Sequence, residues 1–385
     1  IMVLNDEAHH CYREKPGAGE NIENLKGEEK KEAKSEAEDN NMAARVWLSG
    51  LESVQKKLGI SRVFDLSATP FFLRGSGYRE GTLFPWTTSD FSLMDAIECG
   101  IVKLPRVPVA DNIPGSDMPM FRNLWEHIRT KMPKKGRGKT SSLDPLSLPP
   151  QLQTALEALY GHYEKTYKLW EDAGISVPPC FIVVWQNTSI SKLGYDFISG
   201  FSHENEDGSI SFNNGRFPVF RNFDEHGNPL ARPNTLLIDS EQLESGEALS
   251  DEFKNIAATE IERFKEEYKI RFPGRDTDSL TDEDLLREVM NTVGKPGRLG
   301  EQIKCVVSVS MLTEGWDAST VTHILGVLAF GTQLLGGQVV GRGLRRMSHA
   351  VSRQRLEVNG HTVEFDSYEP EYAEVYGVPF SFIPC

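Results

Sequence analysis

Four short apolar runs, CFIVVW (180–185), TLLID (235–239), CVVSVS (305–310) and THILGVL (322–328), constrain the fold more than any other feature of the chain. Each has the length of a strand. Helical apolar spacing lies around and between them: in 151–170, in two stretches within 250–293, and from about Gln333 to Met347. Strands that alternate with helices pack as a parallel sheet, and such sheets carry functional loops at the carboxyl ends of their strands. An α/β fold follows.

The first part of the chain repeats the scheme. Ile1–Leu4 reads as a strand, Ala43–Leu58 as a helix and Arg62–Leu66 as a second strand that runs into SATP, where Pro70 bars a regular continuation. Between them, Glu14–Asn41 is polar and rich in Gly and Glu, and reads as an exposed insertion or a partly ordered loop. Val102–Val109 holds two prolines and reads as an extended connector, so a boundary is placed there. Phe121–Lys131 has helical spacing, and Ile198–Leu230 carries the turn signals of a hairpin insertion. The expected division is 1–105, a first α/β section; 106–177, a connector and helical segment; 178–350, a second section with its insertion at about 198–230; and 351–385, the start of a following region.

A length of 385 residues, 39% hydrophobic and 25% charged, suits a soluble protein of two or three domains. No apolar run approaches the roughly 20 residues of a membrane span, and no signal peptide or membrane partner is expected. The five cysteines are scattered and form no CxxC pair, which points to a reducing cytoplasm rather than to disulfides or zinc. A net charge of −14 argues against a uniformly basic binder of nucleic acid. Basic residues nevertheless cluster at Arg129–Lys139 and Arg342–Arg355, and local field matters more than the sum.

Chemistry concentrates in four places. A strand that ends in Asp6-Glu7-Ala8-His9 suits nucleotide hydrolysis, with one acid on Mg²⁺ and the other orienting the attacking water. Taken alone it is also compatible with a surface acidic turn. A zinc site from Glu7, His9, His10 and Cys11 is disfavoured, because adjacent residues on a strand or turn point apart. Ser67-Ala68-Thr69 again follows a strand, and its hydroxyls could hydrogen-bond His9 or Asp6. Thr313-Glu314-Gly315-Trp316-Asp317 closes a third strand, with Gly315 allowing close approach of a ligand. QVVGRGLRR places Gln338, Gly341, Arg342 and Arg345 on the helix that follows, the two arginines three apart and so on one face. An arginine so placed can stabilise a phosphate in the transition state, by on the order of 10³ to 10⁵ in rate.

In that order, DEAH, SATP, TEGWD and QVVGRGLRR resemble motifs II, III, V and VI of the superfamily 2 helicases. DLSATPFFLRGSGY, DFSLMDAIECGIVKLPRVPV and SMLTEGWD narrow the resemblance to the helicase subunit of type III restriction enzymes, over nearly the whole chain. The resemblance implies two RecA-like parallel-sheet lobes with ATP and Mg²⁺ in the cleft, and ATP-driven movement along DNA. It makes Asp6 the Mg²⁺ acid and Glu7 the catalytic carboxylate, with His9, Ser67 and Thr69 coupling hydrolysis to DNA. Gly315, Asp317 and Gly341 would line the nucleotide, and Gln338, Arg342 and Arg345 would reach across from the second lobe. A modification methyltransferase subunit is an implied partner.

The departures are also informative. The family's phosphate loop, GxxxxGK[ST], should precede DEAH; the nearest match, GRGKTSS (136–142), has Pro133 where the first glycine belongs and follows the first section, so a basic loop is the better reading. The chain is therefore expected to begin midway through the first lobe, without its phosphate loop. A nuclease site is not expected either: Glu252-Phe253-Lys254 and Glu267-Tyr268-Lys269 lie in charged helical stretches. Two rival readings stand beside this one. The first is a non-hydrolysing DNA-binding or interaction module, and the second is a motor from another superfamily 2 branch.

Overall fold

The computed structural model describes residues 1–13, 15, 28–73, 76–79, 81–108, 124–133, 144–204, 210–238, 258–273, 276–277, 280–309, 316–328 and 340–378. They group into two compact units, one formed by the described residues of 1–92, the other by those of 93–330 and 339–385. No described helix is long and apolar enough to cross a membrane.

In the first unit, β1 (Met2–Asn5) pairs in parallel with β2 (Arg62–Asp65), in a register running from Met2 opposite Arg62 to Asn5 opposite Asp65. The crossover is a single helix, α1 (Glu28–Leu58). Residues 28–41, read as an exposed insertion, are thus helical. The run EEKKEAKSEAED is polar but built from strong helix formers, with an i,i+4 pair such as Lys34–Glu38 at 3.8 Å. Beyond the strands, Tyr12, Phe72 and Phe84 bury together against Ala44 of α1. Phe72 stacks on Tyr78 with centroids 4.0 Å apart, and the Tyr12 hydroxyl donates to Asn41 Oδ1 at 3.1 Å.

The second unit is built on a six-stranded, all-parallel sheet: β3 (Leu104–Arg106), β12 (Tyr372–Tyr376), β9 (Val321–Val327), β4 (Cys180–Trp185), β8 (Cys305–Val309) and β7 (Thr235–Ile238), in that spatial order. β4 lies inside it with every residue buried. On one face Phe181, Val183, Trp185, Val307 and Leu325 pack with Leu156, Leu159 and Tyr163 of α4 (Pro150–Asp172) and Leu193 and Phe197 of α5 (Thr188–Ser199). Ile182, Val184, Val306 and Ile324 point the other way and are buried as well. Continuous apolar strands are what a parallel sheet covered on both faces requires. The unit also holds α2 (Leu93–Glu98), α3 (Leu124–Ile128), α6 (Ala258–Arg271) and α7 (Asp282–Asn291), the last opened by a capping box between Thr281 and Asp284.

Two parts of this unit differ from the sequence reading. Residues 102–109, read as a connector, supply edge strand β3, where Pro105 is tolerated. The region after Ser348 does not simply begin something new. After the antiparallel hairpin β10 (Val351–Val358) and β11 (His361–Tyr368), it returns as β12 between β3 and β9. Within 198–230, β5 (Gly200–Glu204) pairs antiparallel with β6 (Ile210–Asn214).

Candidate active site

Because β1 and β2 are parallel, DEAH and SAT leave the first unit's sheet at the same carboxyl edge. Asn5, the last residue of β1, is 4% exposed and binds three elements together. Its amide donates to Asp65 Oδ1 on β2 at 2.9 Å, and its Oδ1 accepts from Trp47 Nε1 of α1 at 2.6 Å. The Leu66 N–H donates to the Asn5 carbonyl, and the Ala8 N–H donates back to the Leu66 carbonyl, at 2.8 and 3.0 Å. The two segments are therefore fastened just past their strands. No motif signalled Asn5; a polar residue inside an apolar strand, directly before the acids, was the available sign.

The turn itself is strained. Glu7 has φ 51° and ψ 39°, left-handed backbone that costs a residue with a Cβ about 1 kcal/mol or more. The Glu7 N–H donates to Asp6 Oδ1 at 3.0 Å, which fixes the Asp6 carboxylate at the turn. Asp6 is exposed, and the Glu7 side chain is 42% exposed. His9 is buried at 6%, with its Nδ1 2.9 Å from Ser67 Oγ and 3.3 Å from Glu7 Oε2. Ser67 Oγ also accepts the Thr69 N–H at 3.0 Å. Burial, then neighbouring His10, pulls the His9 pKa down to about 4, so the imidazole is neutral near pH 7. With its proton on Nε2, Nδ1 accepts from the Ser67 hydroxyl; with its proton on Nδ1, it can donate to Glu7. His9 thus has one nitrogen that can answer either motif.

Among the described residues, no group of three or more His, Cys, Asp and Glu side chains is placed to hold a metal. A Mg²⁺ bound through one carboxylate, waters and substrate phosphates needs only what Asp6 offers, a hard oxygen at an exposed sheet edge.

Gly315 and Gln338 lie outside the described residues, as do GRGKTSS and Glu252–Lys254. Asp317 and Arg345 come together: Arg345 Nη1 donates to Asp317 Oδ1 at 2.7 Å and to the Trp316 carbonyl at 2.6 Å. The helix expected to run to Met347 stops sooner, with described helical residues 340–343. The Leu344 carbonyl accepts the Lys103 N–H at 2.7 Å, so it is turned to β3 rather than to a next helical turn. Arg342 is helical and half-buried, while Arg345 lies past the helix end, so the two do not share a helical face. A Cβ on Gly341 would meet open space; one on Gly343 would run into Ile324 Cδ1 of β9 and sit 3.3 Å from Val321 Cγ1. The second glycine, which no motif singled out, lets the helical residues lie against the sheet.

Arg346, whose ordinary reading is surface solubility, is 7% exposed. It donates to the Glu369 and Ser348 carbonyls and pairs with Glu371 Oε1 at 3.6 Å. Glu267 lies on α6 and pairs with Arg298 at 2.5 Å, as a helix-face residue would.

Set against known proteins, the chain matches no family model and no curated protein.

Proposed function

We propose that the chain is part of an ATP-driven motor on duplex DNA, with RecA-like lobes of the kind found in the helicase subunit of type III restriction enzymes. The contact between His9 and Ser67 carries the reading: it links an acidic turn and a hydroxyl turn at one carboxyl edge of a parallel pair, 2.9 Å apart. A surface acidic turn has no need of that buried, neutral histidine.

When bound, Mg-ATP would supply the phosphoanhydride to be cleaved and the charge that polarises it. Asp6 holds an exposed oxygen for the metal. Glu7, steered by its left-handed backbone, orients a water and accepts its proton at the carboxylate. His9 senses that carboxylate through Nδ1 and answers through Ser67, whose strand leads to the other turn. Within the second unit, the Arg345 guanidinium is the group suited to phosphate charge. Contacts to DNA would be mainly to phosphates, since a motor must tolerate any sequence.

A non-hydrolysing DNA-binding module is the second reading, favoured by the commitment of Arg345 to Asp317 and the Trp316 carbonyl. The test is DNA-stimulated ATP hydrolysis by the native polypeptide that carries these residues, compared with its Ser67→Ala variant. The motor reading expects the variant to bind ATP normally but to lose most of its stimulation by DNA. Full stimulation would overturn the coupling role of Ser67, and DNA binding without any hydrolysis would select the second reading.

A further inference from the structure

Arg345 does not hang free on its segment; its half-exposed guanidinium is held by two acceptors on a loop whose neighbouring residues are buried. Among the described residues its two acceptors both fall on Nη1, and neither Nη2 nor Nε is used. One acceptor is the backbone carbonyl of Trp316, whose side chain is 1% exposed, and Ala318 and Thr320 just beyond are equally buried. The other, the Asp317 carboxylate, has Lys295 Nζ 3.9 Å from its second oxygen. The loop that holds the guanidinium is therefore anchored by its own core residues.

A single lysine ties that loop to the arginine's own segment. Lys103 is 2% exposed and lies just before β3. Its Nζ donates to the Ser319 carbonyl at 2.6 Å and the Val321 carbonyl at 2.5 Å, while its backbone N–H donates to the Leu344 carbonyl at 2.7 Å. Ser319 lies two residues from Asp317, and Leu344 precedes Arg345. A buried cation is costly to desolvate, and a methionine of similar volume would avoid the cost, so an amine here is best explained by what it fastens.

We propose that Lys103 and Asp317 are positioning residues for Arg345: Lys103 clamps the 316–320 loop to the segment around Leu344, and Asp317 with the Trp316 carbonyl sets the plane of the guanidinium so that its other N–H groups face a phosphate. Asp317 then acts through the arginine rather than on the nucleotide. The proposal rests on the ATP-hydrolysis reading above, and its geometric half can be tested without it.

The geometric half is read by nitrogen-15 NMR of the arginine guanidinium groups in the 385-residue chain, with Arg345 assigned by the signal lost in Arg345→Lys. Restricted rotation of its Nη groups is expected in the unaltered chain, fast rotation in Asp317→Asn and Lys103→Met, and partial recovery in Asp317→Glu. Unchanged rotation in Asp317→Asn would overturn the proposal, whether or not Lys103→Met folds. The kinetic half uses ATP hydrolysis by the native polypeptide. Asp317→Asn should lower kcat by about tenfold or more with KM for ATP little changed, and should add almost nothing to the loss in Arg345→Lys. A raised KM at unchanged kcat would return Asp317 to the nucleotide and sink the positioning role. If the unaltered polypeptide hydrolyses no ATP, the motor reading falls, while the NMR result still decides whether Lys103 and Asp317 hold the arginine.

Discussion

Gly194 offers a sharp test of how the second unit is packed. It lies in α5, and a Cβ there would meet the Trp185 indole, 2.6 Å from both Cε2 and Cη2 and closer still to Cζ2. Comfortable carbon–carbon contact is about 3.5–4.0 Å, so α5 would have to retreat by roughly 1 Å or the ring would have to move. Trp185 is fully buried inside the sheet, and a rigid bicycle has no flexible end to yield. Overpacking of this kind costs about 1–3 kcal/mol, and the upper end applies because neither partner can give. Helix propensity returns about 1 kcal/mol on replacing Gly with Ala. The net for Gly194→Ala is a loss of about 2 kcal/mol. Gly161, within α4, is an internal control, because a Cβ there meets nothing within 4 Å. Gly161→Ala should therefore gain about 1 kcal/mol. Hydrogen exchange of the slowest β4 and β8 amides reads both, since those amides open only with the unit as a whole. A gap of about 3 kcal/mol corresponds to roughly a hundredfold faster exchange in Gly194→Ala than in Gly161→Ala. Equal or slower exchange in Gly194→Ala would refute the close approach of α5 to β4.

Two further predictions follow from buried polar groups. His323 is 1% exposed, with Nε2 2.8 Å from His162 Nδ1 and Nδ1 2.8 Å from Thr322 Oγ1; burial, then His162, lowers its pKa to about 3. A histidine depressed in the fold contributes stability that is complete above its unfolded pKa near 6.5 and is lost as pH falls toward 3, so the second unit should weaken by about 1.4 kcal/mol per pH unit between pH 6 and 4. Urea midpoints for that unit that stay flat over this window would contradict the neutral, buried ring. Arg346→Met removes a buried guanidinium and leaves the Glu369 carbonyl and Glu371 without it, and should cost about 3 kcal/mol. Protected β12 amides unchanged in that variant would show that Arg346 does not hold the strand.

The α/β class was legible because β4, β7, β8 and β9 are apolar runs punctuated by helices, and a parallel sheet covered on both faces asks for nothing else. β12 was not, because Tyr372–Tyr376 has only alternating burial and a charged Glu374, and its place beside β9 depends on a return past a hairpin. β3 was hidden by its proline. The polar half of α1 was hidden by the absence of an apolar stripe, where propensity outweighed pattern. In the candidate site, the short step from His9 to Ser67 follows from two segments leaving one edge, which strand-end spacing can suggest. The tie between Lys103, Ser319 and Leu344 joins residues distant in sequence, and a lone lysine before a short strand carries no local signal of it. The same holds for Arg346, whose neighbour Arg345 is half-exposed while it is buried. An RR pair does not say which arginine faces water.

The most direct test of the central claim is ATP turnover by the native polypeptide bearing Glu7→Gln, measured beside ATP binding to the same variant. If Glu7 orients and deprotonates the attacking water, turnover should fall by at least about 10² with binding retained, because the amide keeps the side chain's shape but cannot take the proton. Turnover that survives the substitution would remove Glu7 from the chemistry and the motor reading with it.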